Sequence, residues 1–204
     1  NKIFITPPKS DWQKMLQRPA IDYKQLETQV ASVLEDVRLN GDSAVKKFTQ
    51  LFDGVSLDDL KVSRMEIAEA VADIDADLKT AIEMARSNIT KFHQAQKEPV
   101  VKTETVNGVL CWRRSVAIEK VGLYIPGGSA PLFSTLLMLG IPALLAGCTE
   151  IIVCTPPGKA GKIDPAILYV AQLIGIKNIY KAGGIQAVAA MAYGTHTVSK
   201  VNKI

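Results

Sequence analysis

The sequence predicts an α/β protein, with a mainly helical region ahead of a parallel βαβ unit. Three observations carry that prediction. Apolar residues recur at helical spacing through the first half of the chain. From Lys120 onward a strand, turn, helix, strand cadence repeats. The stretch VGLYIPGGSAPLFSTLLMLG, residues 121–140, holds no charged residue, although the chain is 22% charged. A parallel strand buried on both faces, and the helix lying on it, can both be apolar throughout.

In the helical region, Leu26, Val30, Val33, Leu34 and Val37 form one stripe that stops at Asn40 and Gly41, a helix-ending signal. A short helix follows, with Asp42 or Ser43 as its cap, Val45, Phe48, Leu51 and Phe52 as its apolar face, and Asp53-Gly54 as its end. Ser63-Arg64-Met65-Glu66 has the capping-box pattern and opens a helix carrying Ile67, Val71 and Ile74. Leu78, Ala81, Ile82, Ala85, Ile89 and Phe92 form a further stripe. Between Glu98 and Glu119 the pattern shifts to short alternating pieces, and Val106-Asn107-Gly108-Val109 offers an Asn-Gly hairpin turn. The domain boundary is placed here, giving residues 1–119 and 120–204.

In the second region, Val121 to Ile125 ends at Pro126-Gly127-Gly128 and is followed by the apolar segment Thr135 to Ala146. Ile151 to Cys154 ends at Thr155-Pro156-Pro157-Gly158, before Ala166 to Ile174 at helical spacing. Asn178 to Ala182 ends at Gly183-Gly184, before Gln186 to Tyr193, and Val201 to Ile204 begins a fourth run. The uncharged interval between Lys120 and Glu150 is longer than the roughly 20 residues of a membrane span. Pro126, Pro131 and Pro142, with Gly122, Gly127, Gly128, Gly140 and Gly147, divide it into pieces too short to cross, so no membrane partner is expected.

With 204 residues, 48% of them hydrophobic, the chain can bury a sizeable core. The net charge of +4 comes from cations interleaved with acids, never in a run longer than Arg113-Arg114, which excludes the basic stripe of a nucleic-acid binder. Cys111, Cys148 and Cys154 include no Cys-x-x-Cys pair, so reduced, cytosolic thiols are expected rather than a disulfide framework. No basic segment leading into an apolar run opens the chain, so no secretory signal is expected.

In an open parallel sheet, ligands lie beyond the carboxyl ends of the strands, where helix N-termini present free N–H groups. Here those loops are 126–133, 155–161 and 183–185. Two of the three contain Gly-Gly, which either lets a ligand approach the backbone or simply makes a tight turn. The G-x-G-x-x-G fingerprint is absent. His93 and His196 have no partner at metal-ligand spacing and read as surface residues, and Cys148 and Cys154 read as small apolar packing groups. Tyr124, at the end of the first strand, can fill core or stack on a ligand. Gln186 can hydrogen-bond in the crevice or cap its helix.

The run Val121-Gly-Leu-Tyr-Ile-Pro-Gly-Gly-Ser-Ala-Pro-Leu-Phe-Ser-Thr resembles the histidinol dehydrogenase family, as do Ile141-Pro-Ala-Leu-Leu-Ala-Gly, Thr155-Pro-Pro and Gly183-Gly-Ile-Gln-Ala-Val-Ala-Ala-Met-Ala-Tyr-Gly-Thr. Weaker similarity reaches back through Asn40-Gly-Asp, Leu51-Phe-Asp and Asn88-Ile-Thr-Lys-Phe-His-Gln-Ala-Gln, so nearly the whole chain is covered. The resemblance implies the N-terminal portion of a cytoplasmic, zinc-dependent homodimer with Rossmann-like domains. It implies oxidation of L-histidinol through an aldehyde to L-histidine with two NAD⁺, in histidine biosynthesis. Tyr124 and Gln186 match NAD-contacting positions of the family, and Pro126 lies beside that site. The zinc ligands and the Glu-His pair that does the acid-base work are implied to lie beyond Ile204, so the chain alone is expected to be inactive. His196 departs from the family in standing where an acidic residue is expected. The competing readings are a non-catalytic α/β module for binding or assembly and an unrelated nucleotide-binding dehydrogenase that prefers some other alcohol.

Overall fold

A computed structural model describes residues 3–18, 23–128 and 131–204. Ser129 and Ala130 of the quoted motif lie outside the described residues. The helical region holds α1 (Lys9–Leu16), α2 (Lys24–Asn40), α3 (Asp42–Asp53), α4 (Arg64–Ala72) and α5 (Ala76–Gln94). A hairpin of β1 (Lys102–Val106) and β2 (Val109–Trp112) follows. Then come β3 (Lys120–Tyr124), α6 (Phe133–Ala146), β4 (Glu150–Thr155), α7 (Pro165–Leu173), β5 (Asn178–Lys181) and α8 (Gly184–Tyr193).

β3, β4 and β5 form a parallel sheet in that order, with Tyr124 opposite Cys154 and Cys154 opposite Tyr180. After α8 the chain returns to the free edge of β3. Val121 bridges in parallel to Lys203, the Gly122 N–H donates to the Lys203 carbonyl at 2.8 Å, and the Asn202 N–H donates to the Lys120 carbonyl at 2.9 Å. The order is therefore 201–204, β3, β4, β5, with residues 60–62 bridging antiparallel to the outer edge of β5, and the winding reverses beside β3. Such a reversal is the switch point at which open α/β sheets leave a crevice.

Helices cover both faces. Leu136, Leu137 and Ile141 of α6 and Ile167, Leu168 and Val170 of α7 bury one face, backed by Ala70 of α4 and Ile82 of α5. Ala187, Ala190 and Met191 of α8 bury the other, backed by Val33 and Val37 of α2 and Val45 and Phe48 of α3. The helices of the first region are thus outer layers over the sheet on both sides.

Local chemistry explains most boundaries. Ser63 and Glu66 form the full capping box of α4. The hairpin turns at Asn107-Gly108, with Gly108 at φ +81 and Val106 opposite Val109. Four expectations need correction. Neither Asp42 nor Ser43 caps α3; Gly41 holds the cap position, Asp42 accepts hydrogen bonds from the N–H and hydroxyl of Thr197, and the Ser43 hydroxyl donates to the Asn40 carbonyl. Leu51 and Phe52 are 67% and 45% exposed, so the apolar face of α3 is Ala44, Val45 and Phe48. Phe92 likewise points out of the stripe on α5. Pro142 lies inside α6 without ending it. α1 has no counterpart in the sequence reading and buries no residue, which is why no apolar stripe announced it. No helix among the described residues is long and apolar enough to cross a membrane.

Candidate functional site

The loops leaving β3, β4 and β5 meet at one rim, and Pro156 holds them together. A Cβ on Gly127 would lie 2.6 Å from Pro156 Cγ, and one on Gly183 would lie 2.7 Å from Pro156 Cβ. What approaches these two glycines closely is therefore a proline of the neighbouring loop. Gly184 differs, because its φ of +55 is a conformation that side-chain-bearing residues rarely adopt.

Tyr124, the last residue of β3, is half-buried against the α8-side core. Its Oη accepts a hydrogen bond from the Gly184 N–H at 2.9 Å. The phenol thus reaches past the end of β4 to the first turn of α8 and ties the two strand ends together. Gln186 does not cap α8, which has no side-chain cap at all. It is 0% exposed, yet neither its Nε2 nor its Oε1 has a hydrogen-bond partner. The Oε1 lies 3.0 Å from where a Cβ on Gly184 would sit, so the carboxamide folds back over the start of the helix. Leaving such a group buried and unpaired costs about 1–3 kcal/mol, and a native structure that keeps one needs a reason.

Asp53 joins this group from α3. Its Oδ2 is shielded from solvent without a partner and lies 3.4 Å from the Cβ position of Gly183. Burial pushes its carboxyl above the usual range. The sequence presents Asp53 only as a helix end, and no local signal reveals that a helix from the first region brings it to Gly183.

Pro126 sits on the other side of the loops. It lines a cavity of about 560 Å³ with Thr155, Pro157, Glu66, Asp73 and Lys162, while Tyr124 and Gln186 are not among its walls. Glu66 pairs there with Lys181 at 2.6 Å, their side chains 21% and 10% exposed. Burial pushes the Glu66 carboxyl up, but the Lys181 ammonium and the Ser63 N–H and hydroxyl outweigh it, and the group ends below its ordinary value. Of the three predicted cofactor residues, the structure brings Tyr124 and Gln186 together and sets Pro126 on the adjoining cavity.

His93 is half-buried, with Nδ1 3.0 Å from the Gln96 carboxamide oxygen, and His196 is exposed. All three thiols are free. Burial pushes Cys154 up to about 12, which keeps it protonated and inert. Among the described residues no group of three or more His, Cys, Asp or Glu could hold a metal ion, so these side chains do not fit a zinc site and no zinc chemistry is assigned to them. The rim offers a buried carboxamide with both ends unpaired, which fits a ligand that both donates and accepts.

Comparison with known proteins gives one family. The family model described as histidinol dehydrogenase matches residues 16–204. The chain is similar to the curated histidinol dehydrogenase of Bacteroides fragilis, with 50% identity over 203 residues, covering 100% of this chain and 47% of that protein. The protein of the same name from Bacteroides thetaiotaomicron is 52% identical over 203 residues, again 100% of this chain and 47% of its own length. The crystal structure of histidinol dehydrogenase from Elizabethkingia anophelis superposes with a TM-score of 0.92 at 54% identity, covering 98% of this chain and 46% of that one. The chain spans about half the length of the relatives it matches. The chain belongs to the histidinol dehydrogenase family.

Proposed function

We propose that this chain is the N-terminal, NAD-binding part of a histidinol dehydrogenase. The whole enzyme is an oxidoreductase that oxidises L-histidinol through L-histidinal to L-histidine in histidine biosynthesis, acting in the cytoplasm as a zinc-dependent homodimer. The observation that carries the reading is the buried, unpaired Gln186 carboxamide beside the Tyr124–Gly184 hydrogen bond, at the carboxyl end of a parallel sheet whose winding reverses next to β3. Family membership and identity of about half supply the substrate. Residues 120–204 are proposed as the Rossmann-like unit that carries the rim, and residues 1–119 as the helical region laid over it.

When bound, NAD⁺ supplies the hydride acceptor for an alcohol and then for an aldehyde. The chain's own residues bind and orient. Gln186 presents a donor and an acceptor from a site that water does not reach. Tyr124 already accepts the Gly184 N–H, so its own hydroxyl hydrogen is free to donate while its ring forms a wall. Pro126 walls the adjoining cavity. Catalytic acid-base groups and zinc ligands are assigned to sequence beyond residue 204.

The test is histidinol-dependent NADH formation, measured for the full-length protein and for the 204-residue chain by itself with added zinc. Turnover is expected from the first and none above background from the second. Turnover by the chain alone would move the chemistry into these residues and overturn the assignment.

A further inference from the structure

Among the described carboxylates, Asp53 is the one with a solvent-shielded oxygen that lacks a partner. It is the last residue of α3, where the helix dipole disfavours a negative group. Its Oδ2 is cut off from solvent with no hydrogen-bond partner, and burial alone shifts the group, with no cation beside it to offset the cost. The contrast with the other half-buried carboxylates is direct. Asp42 is held by the N–H and hydroxyl of Thr197, and Glu66 by Lys181 and Ser63. The other unpaired atoms of this region belong to Gln186, and the two side chains close over adjacent glycines: Asp53 Oδ2 is 3.4 Å from the Cβ position of Gly183, and Gln186 Oε1 is 3.0 Å from that of Gly184. A carboxylate that only accepts, over the glycine adjacent to the one that a carboxamide covers, matches a ligand edge rich in O–H donors.

We propose that Asp53 accepts hydroxyl hydrogens from a ribose of the bound cofactor and thereby selects a nucleotide with a free 2′-hydroxyl over one with a 2′-phosphate. This rests on the nucleotide reading of the rim and adds to it a residue and a specificity. A carboxylate hydrogen-bonded to a ribose diol gains the partners it lacks in the free protein. A 2′-phosphate in the same place would bring two like charges together in a poorly hydrated site. Asp53 then contributes nothing to folding and acts only when ligand is present.

The experiment titrates NADH and NADPH, by nucleotide fluorescence, into the full-length protein and its Asp53→Asn variant, with a thermal melt of each free protein. The wild type is expected to favour NADH. Asp53→Asn is expected to weaken NADH by about tenfold, the scale of a charge-assisted hydrogen bond, and to narrow the NADH-to-NADPH preference by a similar factor. Its melting temperature without ligand is expected to equal or exceed that of the wild type, since the isosteric amide removes an unpaired charge. Unchanged NADH affinity and preference in the variant would overturn the proposal. So would a lowered melting temperature with both nucleotides weakened alike, which marks a structural role. If the wild type itself bound neither nucleotide, the reading of the rim would fall first and this proposal with it.

Discussion

The face of the sheet under α6 and α7 and the face under α8 share three strands but differ in what they bury. The α6/α7 face is filled by large apolar side chains such as Leu136, Leu137, Ile141 and Ile167, and the polar pair at its edge, Glu66–Lys181, is matched charge to charge. The α8 face combines small side chains of α8, Ala187, Ala189 and Ala190, with larger ones such as Met191, Phe48 and Tyr180, and it is where Gln186 and Asp53 sit with atoms unpaired. On the proposed reading, the unpaired groups of the α8 face are where stability has been given up for binding.

Substitutions sharpen that comparison in order of size. The largest effect is expected on the α6/α7 face, where Leu137 is fully buried. Leu137→Ala leaves a cavity and is expected to cost about 3 kcal/mol, read as a lower urea midpoint, with nucleotide affinity retained. Next is Glu66→Gln, which keeps a side chain able to complete the capping box but removes the charge facing Lys181. A loss of about 2 kcal/mol at neutral pH is expected. Because the Glu66 carboxyl is lowered in the fold, its contribution is present above the unfolded value of about 4.3 and is lost as pH falls through the lowered folded value. The gap between variant and wild type should therefore close in acid; a gap that stayed open would mean that packing, not charge, is what Glu66 supplies. The smallest stability change is expected at Gln186. Gln186→Leu removes two unpaired polar atoms in a similar volume, and the urea midpoint should stay within about 1 kcal/mol of wild type or rise.

Much of the fold was legible in the sequence, because periodicity and turn chemistry are local. The stripe ending at Asn40-Gly41, the Ser63/Glu66 box, the Asn-Gly hairpin and the repeated strand-turn-helix cadence each reappear as α2, α4, the β1/β2 turn and the parallel sheet. What could not be read depends on contacts between distant segments. Asp42 looked like a cap because its type favours caps, but Thr197 from the far end of the chain engages it instead. Leu51 and Phe52 continued the apolar face of α3 by spacing, yet both stay exposed in the fold. The site divides in the same way. Tyr124 and Gln186 could be named from their position at strand ends and from motif resemblance, whereas Asp53 becomes visible only once α3 folds across the rim.

The central claim is that Gln186 is kept buried and unpaired for a nucleotide. Calorimetric titration of NADH into the full-length protein and its Gln186→Leu variant tests it most directly, with the urea midpoint confirming that both are folded. The account predicts at least about a tenfold loss of NADH affinity in a variant no less stable than wild type. Equal affinity in the two proteins would contradict it.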